Sequence, residues 1–177
     1  MDDAFDAAGT ALCCAAAIRL GGAVEVLTAR SGLLDHCSPI MAGLENITAF
    51  LYGRALDDDL LGSAFAESWS LDARYPAELP SHTFVKKWSY LVFGTVVLTR
   101  LKQQNFTSAQ TLEFASKAAA SWPIAVCLGS FDSLLRFEAA CQQEAEARMR
   151  EGGLPALWKL TEDRSKQYRQ TAEQLIG

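Results

Sequence analysis

Apolar residues along this chain recur mostly at steps of three and four, the period of an α-helix, and no alternating strand pattern reaches four residues outside those runs. From Ala4 to about Ala29, Leu12, Ala16, Leu20, Val24 and Leu27 share one helical face, predicting a long first helix stopped by Gly32. Gly21-Gly22 in its middle predicts a kink or a close helix crossing. Ser38-Pro39 predicts the start of a second helix, because a serine hydroxyl can accept from a first-turn amide and proline suits the first helical position. Ile40, Leu44, Ile47 and Leu51 carry that helix to about Arg54. Asp57, Asp58 and Asp59 complement a helix dipole and predict a shorter helix ending near Trp69.

Between Ser70 and Ser81 the periodicity disappears, and Pro76 and Pro80 predict a long ordered loop. Phe84, Trp88, Leu91, Val92, Thr95 and Leu98 then make a heavily apolar face, which predicts the central helix. Thr107 and Gln110 have capping-box spacing and open a helix to Ser121. Pro123 restarts or kinks the chain, and Ile124, Cys127, Leu128, Phe131, Leu134 and Leu135 continue an apolar face toward a polar end at Glu144–Arg150. Gly152-Gly153 breaks the chain before a last helix from Pro155 to about Leu175. Leu157, Leu160, Tyr168 and Leu175 form only a thin stripe there, so residues 154–177 are expected to be a peripheral charged helix, packed outside or against a protein partner. The predicted fold is all-α, one domain over residues 1–177, a bundle of six or seven helices without internal repeats.

Composition supports one core: of 177 residues, 50% are hydrophobic and 21% charged, enough apolar side chain to offset the entropy of ordering a compact domain. The net charge of −5 and the lack of a basic stripe argue against direct nucleic-acid binding, which draws most of its affinity from counterion release. Five cysteines, an odd count in a chain this long, fit reduced thiols better than a disulfide framework. The acidic start Met1-Asp2-Asp3 is unlike a basic targeting segment, so an intracellular location, cytoplasmic or nuclear, is expected, with the sequons at Asn46 and Asn105 unused. The uncharged runs Ala7–Ile18, Trp88–Thr99 and Ala118–Phe131 fall short of the ~18 residues of a spanning helix and are expected to be core.

Candidate chemistry is sparse. Cys13-Cys14 and His36-Cys37 are adjacent pairs and miss the C-x₂₋₄-C spacing of a zinc site, so no metal is predicted. His36 and His82 are the two histidines on which a nucleophilic triad could draw, and Asp35 beside His36 is a chain neighbour that seldom faces it. His82 precedes the apolar helix, a place for a haem ligand in a globin-like bundle or simply for a loop histidine. No diphosphate-binding DDxxD arrangement and no phosphate-binding glycine motif occurs, and no cofactor is predicted. What remains is Trp88, Phe93, Trp122 and Phe131, with Cys127 and His82 as polar contacts, a set that either lines a small-molecule pocket or packs as core.

The order Cys14-Ala15-Ala16-Ala17-Ile18, Ser31-Gly32-Leu33-Leu34, Ser38-Pro39, Trp88 to Leu101 and Ser121-Trp122-Pro123-Ile124-Ala125 resembles the C-terminal helical regulatory region of fungal zinc-cluster transcription factors. The resemblance covers about Leu12 to Leu135 and does not include the six-cysteine zinc module, so DNA binding is not implied. It implies a helical body that senses a ligand or meets a partner. The leading expectation is therefore a regulatory or interaction domain with a cavity for a small hydrophobic ligand. Two alternatives stand beside it: a small all-α enzyme of cyclase or isomerase type acting on an apolar metabolite by positioning, and a structural subunit docking through its C-terminal helix.

Overall fold

The computed structural model describes residues 5–74, 80–101, 107–122 and 131–176, and among these it contains six helices and no strand. They are α1 (Ala7–Arg30), α2 (Leu34–Leu51), α3 (Asp58–Arg74), α4 (Pro80–Leu101), α5 (Ser108–Ser121) and α6 (Leu134–Ile176). Helices α2 to α6 each pack on the next in chain order, and α1 lies inside this arc, touching α2, α4, α5 and α6. The all-α, single-bundle expectation holds.

The central element is α1 and not α4. Its Ala11, Cys13, Cys14, Ala15, Ala16 and Ala17 are all fully buried, and a helix apolar around its whole circumference is covered on every side. By length and composition α1 could also cross a membrane, but 78% of its most apolar 18-residue window is buried inside the bundle. Gly21-Gly22 produces a crossing without a kink: a Cβ on Gly22 would stand 2.3 Å from the Ser165 carbonyl oxygen of α6. By contrast, α4 buries Phe84, Trp88, Leu91 and Val92 while Tyr90, Phe93 and Val97 stay half-buried on its outer side. Trp88 ties the two helices together, its indole Nε1 donating to the Ala17 carbonyl at 2.8 Å.

Gly32 ends α1 as expected. Its φ of 69° lets the Leu33 N–H turn back to the Thr28 carbonyl at 2.8 Å, closing a Schellman turn. That turn delivers the chain straight into α2 at Leu34, one turn ahead of the predicted start. Ser38-Pro39 therefore lies inside the helix, where proline forfeits one backbone bond. Contact between the buried Cys37 thiol and the Thr28 hydroxyl, 3.2 Å apart, holds this early turn on α1.

Asp57 caps α3, accepting from the amides of Asp59 and Leu60 at 3.0 and 3.1 Å. The helix continues past Trp69 to Arg74, so much of the predicted loop is helical: Leu71 is buried, and Asp72 meets Lys86 of α4 at 3.1 Å. Pro80 then occupies the first position of α4. The capping box of α5 forms in both directions, Gln110 N–H to Thr107 Oγ1 at 3.2 Å and Thr107 N–H to Gln110 Oε1 at 3.0 Å.

Ile124, Cys127 and Leu128 lie outside the described residues. Phe131 to Ser133 are not helical, and α6 opens at Leu134 with the Ser133 hydroxyl accepting from the Arg136 amide at 3.3 Å. At Gly153, φ 64° and ψ −156° interrupt α6 where the glycine pair predicted a break. The half beyond it buries Leu157, Tyr168 and Ala172 in the bundle, so the segment expected to be peripheral is fully packed on one side and charged on the other.

Candidate functional site

The sequence-selected residues do not gather into one cavity. Trp88 is sealed in the core, whereas Phe93 lies on the outer side of α4, its ring 4.8 Å from that of Phe65. Five residues apart on a helix, the two point about 140° away from each other, which the sequence pattern passed over. Phe131 packs edge-on against Phe137 with centroids 5.6 Å apart, and Cys127 is outside the described residues. His82 and Trp122 do come together.

They share a cleft of about 290 Å³ formed where the C-terminal end of α1 meets the first turn of α4. Leu27, Trp122 and Leu175 make its apolar surface; Arg30, Ser31, Ser81 and His82 are its polar lining. Trp122 is fixed by an edge-on contact with Phe84 at 5.3 Å and is only 5% exposed. The first turn of α4 lies on the side of Arg30 and His82, and the start of a helix carries the positive end of its dipole. Such an arrangement can hold a small molecule with an apolar body and an anionic head. Arg30 and Ser31 carried no signal in the sequence beyond standing at a helix end, because it takes the α1–α4 packing to bring them to Trp122.

A second polar constellation is wholly internal. Arg19 of α1 donates through Nε to Glu138 Oε2 at 3.1 Å and through a terminal nitrogen to Oε1 at 2.5 Å. The Tyr168 hydroxyl donates to Oε2 at 2.8 Å, and Gln142 Nε2 donates to Oε1 at 2.9 Å. Arg19, Glu138 and Tyr168 are all at most 2% exposed. Burial opposes the charge on Arg19, but the Glu138 charge and hydrogen bonds overcome it and hold the guanidinium more firmly protonated than usual. Burial, then Glu138, raises the Tyr168 hydroxyl well above its ordinary value. With four donors on one carboxylate and no solvent access, this group links α1 to both halves of α6 and has no position for a substrate. The clue in the sequence was that Arg19 is the one charged residue between Asp6 and Glu25.

The described cysteines are equally unsuited to chemistry. Burial pushes the Cys14 and Cys141 thiols up to about 12, and raises Cys13 and Cys37 as well, so none supplies a thiolate at neutral pH. His36 Nδ1 meets Glu67 Oε2 at 2.6 Å, joining α2 to α3. Among the described residues no group of three or more His, Cys, Asp or Glu side chains could hold a metal ion. A larger hollow of about 490 Å³ follows the inside of the α6 bend, but Glu144, Arg148, Lys159, Asp163 and Arg164 line it, with Glu144 already paired to Arg164 at 2.5 Å. Ligand pockets are mostly apolar with few polar groups, and the smaller His82 cleft fits that description better.

Comparison of the chain with protein-family models, with curated proteins and with solved structures gives no match in any of the three.

Proposed function

We propose that this chain is a non-catalytic regulatory or interaction domain whose α1–α4 cleft binds a small amphipathic acid. The observation that carries the reading is the convergence of His82 and Trp122, from separate elements, on one cleft with Arg30. An apolar floor and a basic rim suit a ligand whose hydrocarbon part lies on Leu27, Trp122 and Leu175 while its carboxylate faces Arg30 and the start of α4. The volume of about 290 Å³ lies near the lower end of the ~300–1,000 Å³ range of ligand pockets, so the ligand is a single ring or a short chain. Regulation rather than turnover is supported by the described thiols, which are held protonated, and by the saturated Glu138 carboxylate. The resemblance to a helical regulatory region points the same way.

The test is thermal denaturation with a series of short-chain and aromatic carboxylic acids, each beside its neutral amide. Binding to the folded state alone stabilises by about 2.7 kcal/mol at a ligand concentration of 100 times Kd. An acid in the series is expected to raise Tm where its amide does not, and Arg30→Gln or His82→Ala should remove the shift. If no acid in the series raises Tm, or the shift survives both substitutions, the reading fails.

A further inference from the structure

Independently of the cleft, α3 carries an apolar stripe that the described residues leave partly exposed. Gly62, Phe65, Ala66, Trp69 and Ala73 stand at i, i+3, i+4, i+7 and i+11, one stripe of a helix. Trp69 is 62% exposed and Phe65 39%, although both rings pack against Phe93 of α4, with centroids 6.4 and 4.8 Å away. A Cβ added to Gly62 would meet nothing within 4 Å. Two aromatic side chains and three small residues along one stripe leave a ridge at Trp69 and a flat at Gly62, seven residues apart.

The charges around this stripe are self-complementary. Asp57, Asp58 and Asp59 stand at the N-terminal end of α3 and Arg74 at its C-terminal end. On the α4 side, Asp58 pairs with Arg100 at 3.5 Å at one end, and Asp72 pairs with Lys86 at 3.1 Å at the other. We infer that the occupant of this face is a second copy of the chain, docked through an antiparallel α3–α3 contact about a two-fold axis between Phe65 and Ala66. In that register Trp69 of each copy seats on the partner's Gly62, and Ala66 lies against the partner's Phe65. Each Arg74 then reaches the partner's Asp59, and the Asp58–Arg100 end of one copy faces the partner's Lys86. Antiparallel dipoles add to the same sense of pairing. A parallel arrangement would set aspartates on aspartates and Trp69 on Trp69. One helix pair with flanking side chains is a small interface, so the dimer is weak and reversible.

Sedimentation velocity of the full chain over roughly 1–500 µM, a span suited to a small interface, reads this directly. A concentration-dependent dimer is expected, with Trp69→Ala and Gly62→Arg each weakening it at least tenfold while far-UV circular dichroism stays that of the parent. Asp59→Lys and Arg74→Glu should each weaken self-association, and an equimolar mixture of the two should regain it, since both crossed pairs are then of opposite sign. A monomer throughout, a dimer indifferent to Trp69→Ala and Gly62→Arg, or a mixture no stronger than its components would overturn the inference.

Discussion

In the middle of the seam between α1 and α6 an ion pair is inside and dry, with the more exposed Glu25–Arg169 pair at its edge, whereas along the seam between α3 and α4 the charges stand at the ends and aromatic rings face outward. In the first, Arg19 and Glu138 are shielded from water and every strong donor around the carboxylate is used. In the second, Asp58 and Arg100 are largely solvated while Trp69 and Phe65 remain exposed. A buried pair of opposite charges costs desolvation on both sides and so specifies which surfaces may meet; it is a poor place to bind anything else. Exposed rings flanked by charges have their desolvation still ahead of them, and that is the condition of a surface that takes a partner.

The largest effect should come from breaking the internal seam. Arg19→Met leaves Glu138 buried without its guanidinium, and equilibrium urea denaturation is expected to register a loss of about 3–5 kcal/mol. Adding Glu138→Leu and Tyr168→Phe removes the orphaned groups too, and should restore most of the stability; Gln142 keeps a partner in Ser116 Oγ at 3.2 Å. If the triple variant is no more stable than the single one, packing and not the buried charge accounts for the loss.

A smaller, graded effect follows from pH. In the unfolded chain a thiol ionises near its ordinary value of 9.0, but burial holds Cys14 and Cys141 protonated to about 12 in the fold. Between those values the unfolded state binds fewer protons, so stability that is complete below about pH 9 falls as pH rises, by ~1.4 kcal/mol per pH unit for each thiol. Tyr168, also raised, steepens the decline from about pH 10. Urea midpoints at pH 8, 9.5 and 10.5 measure the slope, and Cys141→Ala should make it shallower. An unchanged slope in that variant would show that Cys141 is not among the groups that titrate.

The smallest effect belongs to the outer seam. Asp58→Asn removes an ion pair whose side chains are 69% and 49% exposed, and in dilute protein it should alter stability by only about 0–1 kcal/mol. A loss comparable to that of Arg19→Met would erase the distinction between the two seams.

Much of this fold was legible in local patterns, because local chemistry made it. The Gly32 stop, the Thr107–Gln110 capping box and the break at Gly152-Gly153 are each decided within a few residues. Ser38-Pro39 misled because its start signal was overruled by a Schellman turn six residues upstream and by the Cys37–Thr28 contact with α1. Ser70–Arg74 has no helical signature in the sequence because a single buried Leu71 and the cross-helix Asp72–Lys86 pair sustain the last turn, and neither gives a period. In the candidate site, His82 and Trp122 share a cleft, whereas Trp88, Phe93 and Phe131 lie elsewhere, because the sequence groups all five by composition and carries no record of direction.

By itself the sequence determined that the chain would be helical, where most helices end, and that α1 would be buried, because periodicity, caps and apolarity act through the backbone nearby. Only the tertiary structure decided that α1 is the centre, that Arg19 finds Glu138 across 119 positions, and that Arg30 shares a cleft with His82 and Trp122. Those relations depend on which helix faces meet, and a close approach such as that of Gly22 to Ser165 depends on shapes from both sides at once, which no single stretch of chain contains.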